Sequence, residues 1–279
     1  MLVARKYPTR LVLGAADHTY VECGAGAKGW SCWGGKTGGS AFRQGAGSTR
    51  RADLIAGADE KAGIACYAIN GVCHQCANRI LFPTGALVRG ARGYKVSEAI
   101  FGPYGRNRGP LGCRAPFDQH PGVIDDLPEC RIPDTAGEAA FETDPDRAYV
   151  RGVMEIYRGF DAFASNALGE DRLVELHVAL FTFMIRNSLI DPEKAPLKDL
   201  QRARADEERG RIELEAGFLE EKVRLAAFVD ASNALIVEFQ KQLSKLLDPG
   251  DYTDLLGLLP GDFVELVDPE IARVAYPGR

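Results

Sequence analysis

No stretch of the chain stays apolar for the roughly 20 residues a membrane-spanning helix needs, so no membrane span is expected. The opening, MLVARKYPTRLVLGAADHTY, lacks the long apolar stretch and small-residue cleavage site of a signal peptide, and the expected location is cytoplasmic. Lysine and arginine form no dense cluster interleaved with aromatics, which removes nucleic acid from the expected partners. No internal repeat of about 20–50 residues is present, which excludes a solenoid or propeller. The seven cysteines are odd in number and follow no signal, so they do not read as a disulfide scaffold.

What is present divides in two. Residues 1–135 carry 17 Lys/Arg against 11 Asp/Glu, a charge of +6, whereas residues 136–279 carry 17 against 28, a charge of −11. All seven cysteines and most glycines lie in the first part. A chain of 279 residues can bury two modest cores, and the composition shift predicts one region over 1–138 and a second over 139–279.

In the first region TRLVLGAADHTYVEC (9–23) reads as two short strands about a Gly-Ala-Ala turn, with His18, Tyr20 and Glu22 on one face. Residues 24–48 are Gly-rich and predict turns with short β segments. GIACYAI (63–69) predicts a strand, GVCHQCANRILF (71–82) a helix stopped by Pro83, and residues 86–102 another strand or two. Six prolines make residues 102–138 an irregular segment. The second region reads as helical. Asp144 and Pro145 start one helix running to 168. Residues 170–189 are apolar nearly all round, which predicts burial on most sides. A long charged helix spans about Leu197 to Leu247, with a packing seam at Leu225, Val229, Ser232, Ile236, Phe239, Leu243 and Leu246. Asp248-Pro249-Gly250 ends it, and a short tail follows that can dock back onto the core. The fold class is α+β.

GGKT (34–37) invites a phosphate-loop reading, but that motif needs a glycine five residues before the second one, and the position holds Trp30. A Gly-rich turn is the better reading. Cys73 and Cys76 form a CxxC. Zinc needs a second ligand pair, and Cys113 with Cys130, or Cys23 with Cys32, lacks knuckle spacing; neither metal nor cofactor is expected. A redox dithiol needs a helix start among βαβ units, and only the helix start is present.

The third reading uses one thiol. Cys73 at a helix start faces the positive end of the helix dipole, which favours a thiolate. A nucleophilic thiol also needs an imidazole base. His177 lies in the most apolar helix and reads as core, and His120 lies in the proline-rich loop. His74 adjoins Cys73, about 100° away around the helix, and is poorly placed as a base. His18 lies on a strand in the same cysteine-rich region, which makes it the candidate base.

A histidine on a strand, in DHTYVE, followed by a cysteine opening a helix, in YAINGVCHQCANRIL, resembles circularly permuted members of the papain-like superfamily. These are the NlpC-type amidases and peptidases and the lecithin-retinol-acyltransferase-like proteins. The likeness covers about residues 10–105 and rests on order and local context; Gly71 and Val72 separate Asn70 from Cys73. It implies a permuted papain-like β-rich catalytic domain with a Cys-bearing helix, followed by a mainly helical domain. It further implies a thiol-dependent acyl-transfer enzyme, a hydrolase or acyltransferase acting on a peptide or small acyl substrate. Cys73 would attack the acyl carbon, His18 would move the proton, and the Cys73 backbone N–H would hold the oxyanion. Gly71 would permit close backbone approach, and His74 and Gln75 would line the site or cap the helix.

The group that orients His18 stays open. Glu22 shares its face but lies about 13 Å away by strand rise, Asp17 points to the other face, and a polar group from residues 30–45 is equally eligible. Trp30, Trp33 and Tyr20 are candidates for the substrate wall, against a core role for the tryptophans. The helical region can dock on the basic one, restrict access, or dimerise through its long helix. The competing class is a CxxC redox or zinc-binding interaction module with a helical partner-binding region.

Overall fold

A computed structural model of the chain describes residues 2–9, 16–22, 29–31, 33–45, 66–81, 86–106, 145–160 and 169–279. Expectations for Cys23, Cys32, Cys113, His120, Cys130 and Asp144 fall outside these. The described chain is α+β. Four strands, β1 (Leu2–Pro8), β2 (Asp17–Glu22), β3 (Gly29–Trp30) and β4 (Ser40–Gly45), form an antiparallel sheet in the order β3-β2-β1-β4. Eight helices follow: α1 (Cys73–Leu81), α2 (Tyr94–Phe101), α3 (Pro145–Gly159), α4 (Glu170–Ser188), α5 (Leu197–Leu219), α6 (Leu225–Leu246), α7 (Pro249–Leu256) and α8 (Pro269–Ala275).

The sheet sets up the site through one asymmetry. β2 pairs with β1 along its whole length, from Val3↔Glu22 to Pro8↔Asp17, but with β3 only at Val21 and Glu22. At residues 17–19 the far side of β2 pairs with no described strand; Asp17 N–H donates to Arg92 C=O, and α1 packs there. Every residue of β2 from His18 to Glu22 is buried, so both faces are covered although the strand reads as largely polar.

The helix at 71–82 forms as expected and starts at Cys73. The strand expected at 63–69 does not extend through its described part. Residues 66–71 make a turn closed by Asn70 N–H to Cys66 C=O (2.8 Å) and Ala68 N–H to Gly71 C=O (2.9 Å), with Ala68 in the left-handed region at φ 61°. Residues 94–101, expected as β, form α2, which buries every residue except Lys95 and stops at Gly102 with φ 71°. A segment buried on all sides shows no alternation of two, and the flanking glycines decide its length.

α4 is buried from Leu173 to Ile185 on most positions, as its composition predicts. The single long helix does not exist. It breaks at residues 220–224, where Glu221 takes φ 61° and Gly217 C=O accepts from Lys222 and Val223. The result is an α5–α6 hairpin. The seam of α6 is buried at Leu225, Val229, Ser232, Ile236, Phe239 and Leu243. Asp248 does not merely end α6; its carboxylate accepts from Asp251 N–H and starts α7. The tail docks back: Asn233 receives Leu266 N–H and Val267 N–H and donates to Val267 C=O, and Gln240 does the same for Val264.

The core is one contiguous cluster running from Leu2 on β1 to Ala272 on α8. The composition boundary is crossed by buried ions. Arg106 donates to Glu208 (2.5 and 2.8 Å) and to Glu215, Arg204 pairs with Glu207 and Glu208 (2.7 Å each), and Arg211 pairs with Glu207 (2.6 Å). The charged helix α5 thus buries Arg204, Glu207, Glu208, Arg211 and Glu215 on its packed face, while Asp199, Arg202, Asp206 and Arg209 stay exposed. Arg106 also donates to Ile69 C=O (3.1 Å), and its backbone bonds Asn70, so the network grips the turn that leads into α1.

Candidate functional site

The start of α1 is built by local chemistry. Gln75 folds back so that its Oε1 accepts from Val72 N–H at 3.0 Å, one half of a capping box. Its Nε2 donates to Gly102 C=O at 3.1 Å, tying α1 to the end of α2. Gly71 leaves room for this: a Cβ there would lie 2.8 Å from Gln75 Cβ. The close approach expected of Gly71 is therefore to a side chain of its own segment. His74 straps α1 down. Its Nε2 donates to Asp17 C=O (2.9 Å) and its Nδ1 meets Ser97 Oγ (2.8 Å). Burial pulls His74 down to about 4, so it is neutral with both nitrogens engaged, and it cannot serve as a base.

Cys73 comes to rest on this far edge of β2. Its thiol donates to Asp17 C=O at 3.8 Å, and the Thr19 backbone bears on the sulfur from the same edge. In a strand the carbonyl before a residue and the N–H after it point the same way and flank that residue. The sulfur therefore occupies the bonding position beside His18, where a neighbouring strand would otherwise pair. The backbone N–H groups of Cys73 and His74 also bear on the sulfur.

The environment differs from the expected thiolate. Cys73 is 6 % exposed. Burial pushes its thiol up to about 11, against the opposing pull of the Thr19 backbone and hydroxyl and the helix-start N–H groups. Desolvation outweighs the helix start, and at neutral pH Cys73 is a thiol in this closed state.

His18 is fully buried, and its ring is held by Tyr7 at 4.9 Å between centroids and by the Gly34–Gly35 turn. Gly34 has φ 78°, and a Cβ on it would fall 2.6 Å from His18 Cε1, so only glycine lets this turn close over the ring. Nε2 lies 2.9 Å from Gly35 C=O. A carbonyl only accepts, so Nε2 carries the hydrogen and Nδ1 carries the lone pair. Among the described residues that buried Nδ1 has no hydrogen-bond partner. Burial lowers His18, with the Gly35 carbonyl and then the Asp268 carboxylate opposing. No hydrogen bond joins Nδ1 to Cys73.

The orienting acceptor thus comes from residues 30–45, and GGKT contributes the histidine's cradle, not a phosphate loop. The acids nearest in sequence serve elsewhere: Asp17 accepts from Arg92 N–H (2.9 Å) and pairs with Lys6 (3.3 Å), and Glu22 pairs with Arg5. Trp30, Trp33 and Tyr20 do not form a substrate wall. Trp33 packs edge-on to Tyr67 at 5.3 Å, Trp30 is core, and the Tyr20 hydroxyl donates to Gly38 C=O at 2.6 Å. Both tryptophans resolve to core, and the small exposed surface near His18 belongs to other residues.

That surface is a cleft of about 560 Å³ lined by Tyr7, His18, Gly34, Gly35, Asp268 and Glu270, among others. The last two come from the C-terminal segment, 250 residues after His18 in sequence, and no local pattern could have placed them.

Cys73 and Cys76 are not a dithiol pair. Cys73 and Cys66 are thiols, whereas Cys76 is disulfide-bonded. The seven cysteines do not read as a disulfide scaffold in sequence, and this bond is one that reading did not provide for. Disulfides belong to oxidising compartments, so the cytoplasmic expectation is not carried forward. No described helix is long and apolar enough to cross a membrane. Among the described residues no group of three or more His, Cys, Asp or Glu is arranged to hold a metal ion. His177 is buried in α4 with neither ring nitrogen hydrogen-bonded among the described residues, held down to about 3 by burial. No family model, curated protein or solved structure matches the chain. Its chemistry is argued from the site alone.

Proposed function

We propose that the chain is a thiol-dependent acyl-transfer enzyme of the permuted papain-like kind, with Cys73 as nucleophile and His18 as base, acting on an amide, peptide or thioester. The observation that carries this is the His18 ring: the Gly35 carbonyl takes the Nε2 hydrogen and leaves the lone pair on Nδ1, a buried atom with no hydrogen-bond partner among the described residues, while the Cys73 thiol bonds the carbonyl of the preceding residue, Asp17.

The Cys73 S–H gives its proton to His18 Nδ1, and the sulfur electron pair forms a bond to the acyl carbon. The carbonyl π pair moves to oxygen, which takes over the Cys73 and His74 N–H groups as the sulfur they bear on moves onto the acyl carbon. Collapse restores the carbonyl and expels the leaving group, which takes the proton back from His18 and leaves a thioester on Cys73. Water or another acceptor, deprotonated by His18, then attacks the thioester and releases Cys73.

Magnitudes bear on this. With Cys73 at about 11 and His18 below its ordinary 6.5, moving the proton in the closed state is uphill by about 6 kcal/mol or more, at 1.36 kcal/mol per unit. Turnover at about 10 per second corresponds to a total barrier of about 16 kcal/mol. The step is therefore compatible with catalysis without a standing thiolate–imidazolium pair.

The test is intact-mass analysis after mixing the full chain with a small aryl ester of a carboxylic acid. One acyl group per chain, mapped to Cys73 and lost in Cys73→Ala and His18→Ala, is the expected result. Acylation that survives His18→Ala, or that maps to Cys66, rules the assignment out.

A further inference from the structure

We propose that Asp268, brought to the cleft by the C-terminal segment, is a positioning residue for His18, its carboxylate stabilising the imidazolium that forms when His18 takes the Cys73 proton. The inference rests on the Cys73–His18 reading above and adds a component that lies far outside residues 10–105.

The Gly35 carbonyl fixes the His18 ring and its tautomer, but it is neutral and supplies only a dipole. A buried imidazole that gains a proton calls for an opposite charge nearby. Asp17 and Glu22, on the same strand, are already neutralised by Lys6 and Arg5. Among the residues lining the cleft, the formally charged ones are Asp268 and Glu270. Asp268 is 8 % exposed, whereas Glu270 is exposed to solvent, which screens it. Among the described residues Asp268 has no ion-pair partner.

Its position is fixed by several independent bonds. Asp268 N–H donates to Tyr67 Oη at 2.8 Å. Its Oδ1 accepts from Glu270 N–H (2.7 Å) and Ile271 N–H (3.2 Å), capping α8. Tyr276 Oη donates to Tyr67 C=O at 2.7 Å. Tyr67 belongs to the turn that leads into Cys73, so the segment carrying the carboxylate and the segment carrying the thiol are pinned to each other. The other titratable or charged groups around His18 are Tyr7 and Lys6 on β1, Asp17 and Tyr20 on β2, and Cys73 and His74 on α1. Lys6 is paired with Asp17, and His74 is neutral, so neither offsets Asp268 at the ring.

Asp268→Asn separates charge from structure, because asparagine caps a helix as well as aspartate does. The experiment uses the full chain with ¹⁵N-labelled histidine, the His18 signals being assigned by their loss in His18→Ala, and reads the His18 titration midpoint together with the rate of Cys73 acylation by the aryl ester. In Asp268→Asn the midpoint should fall by about one pH unit and acylation should slow about tenfold at neutral pH, while the unfolding temperature holds. Asp268→Glu should recover most of both. An unchanged His18 midpoint in folded Asp268→Asn overturns the proposal, as does an unchanged acylation rate. Should His18→Ala itself acylate normally, the Cys73–His18 reading fails first; if His18→Ala is dead and Asp268→Asn is unaffected, only the role of Asp268 fails.

Discussion

Gly34→Ala is the sharpest perturbation of the histidine cradle. The backbone there has φ 78°, and an added Cβ would sit 2.6 Å from His18 Cε1 and 3.1 Å from Nδ1. The left-handed conformation costs alanine about 1–2 kcal/mol. The ring, buried against Tyr7, has little room to retreat, so the turn must shift and the Nε2–Gly35 bond must break. A broken bond that leaves a buried N–H unsatisfied costs about 1–3 kcal/mol more. The total, about 2–5 kcal/mol, corresponds to a drop of roughly 3–9 °C in unfolding temperature for a chain of this size. Thermal unfolding measures that part. The functional part is read by aryl-ester acylation of Cys73 at a temperature where the variant is folded, and it should fall at least tenfold because the tautomer is no longer fixed. A folded Gly34→Ala with wild-type unfolding temperature and wild-type acylation would refute the argument that this glycine holds the base.

Three further predictions concern other parts of the fold. Arg106→Ala removes the guanidinium that pairs with buried Glu215 and one of the two that pair with buried Glu208, which keeps Arg204, and should cost about 3–5 kcal/mol in urea unfolding; a loss under about 1 kcal/mol would contradict the burial of this network. His74 and His177 are pulled down from 6.5 to about 4 and about 3 by burial. The unfolded chain therefore binds more protons below pH 6.5, and the stability these groups confer is complete above that pH. It declines as pH falls through 6.5 towards 3, by about 3–5 kcal/mol for each; a flat stability profile from pH 7 to 4 would exclude this. In chain unfolded without reductant, Cys76 should resist alkylation until a reductant is added, and reduction should lower stability by about 2–4 kcal/mol; direct alkylation of Cys76 would show that it carries no disulfide.

The parts of this fold legible in sequence are those whose determinants are local. The helix beginning at Cys73, the buried α4 and the seam of α6 follow from periodicity and from stops such as Pro83. α2 escaped because Tyr94 to Phe101 is buried on nearly every side, which erases the helical stripe. The α5–α6 break escaped because Glu220, Glu221 and Lys222 are ordinary helix formers, and only the packing of the hairpin favours a left-handed Glu221. At the site, Cys73 and His18 stood out by residue type, and Gln75 as a cap by its place three residues after Val72. The Gly34–Gly35 cradle was masked by a likeness to a phosphate loop. Asp268 was out of reach, since its link to His18 runs through Tyr67 and α8, across 250 residues of chain. The state of the thiol was misjudged for an energetic reason: the helix start favours a thiolate, but complete burial opposes it more strongly.

The central claim is that Cys73 and His18 act as one reacting pair. A crystal structure of the chain carrying a stable acyl or alkyl group on Cys73 tests it most directly, through the distance from the sulfur to His18 Nδ1. The account predicts a separation within about 4 Å, near hydrogen-bond reach, with Nε2 still on the Gly35 carbonyl. A separation beyond about 8 Å, with the ring turned away from the sulfur, contradicts it.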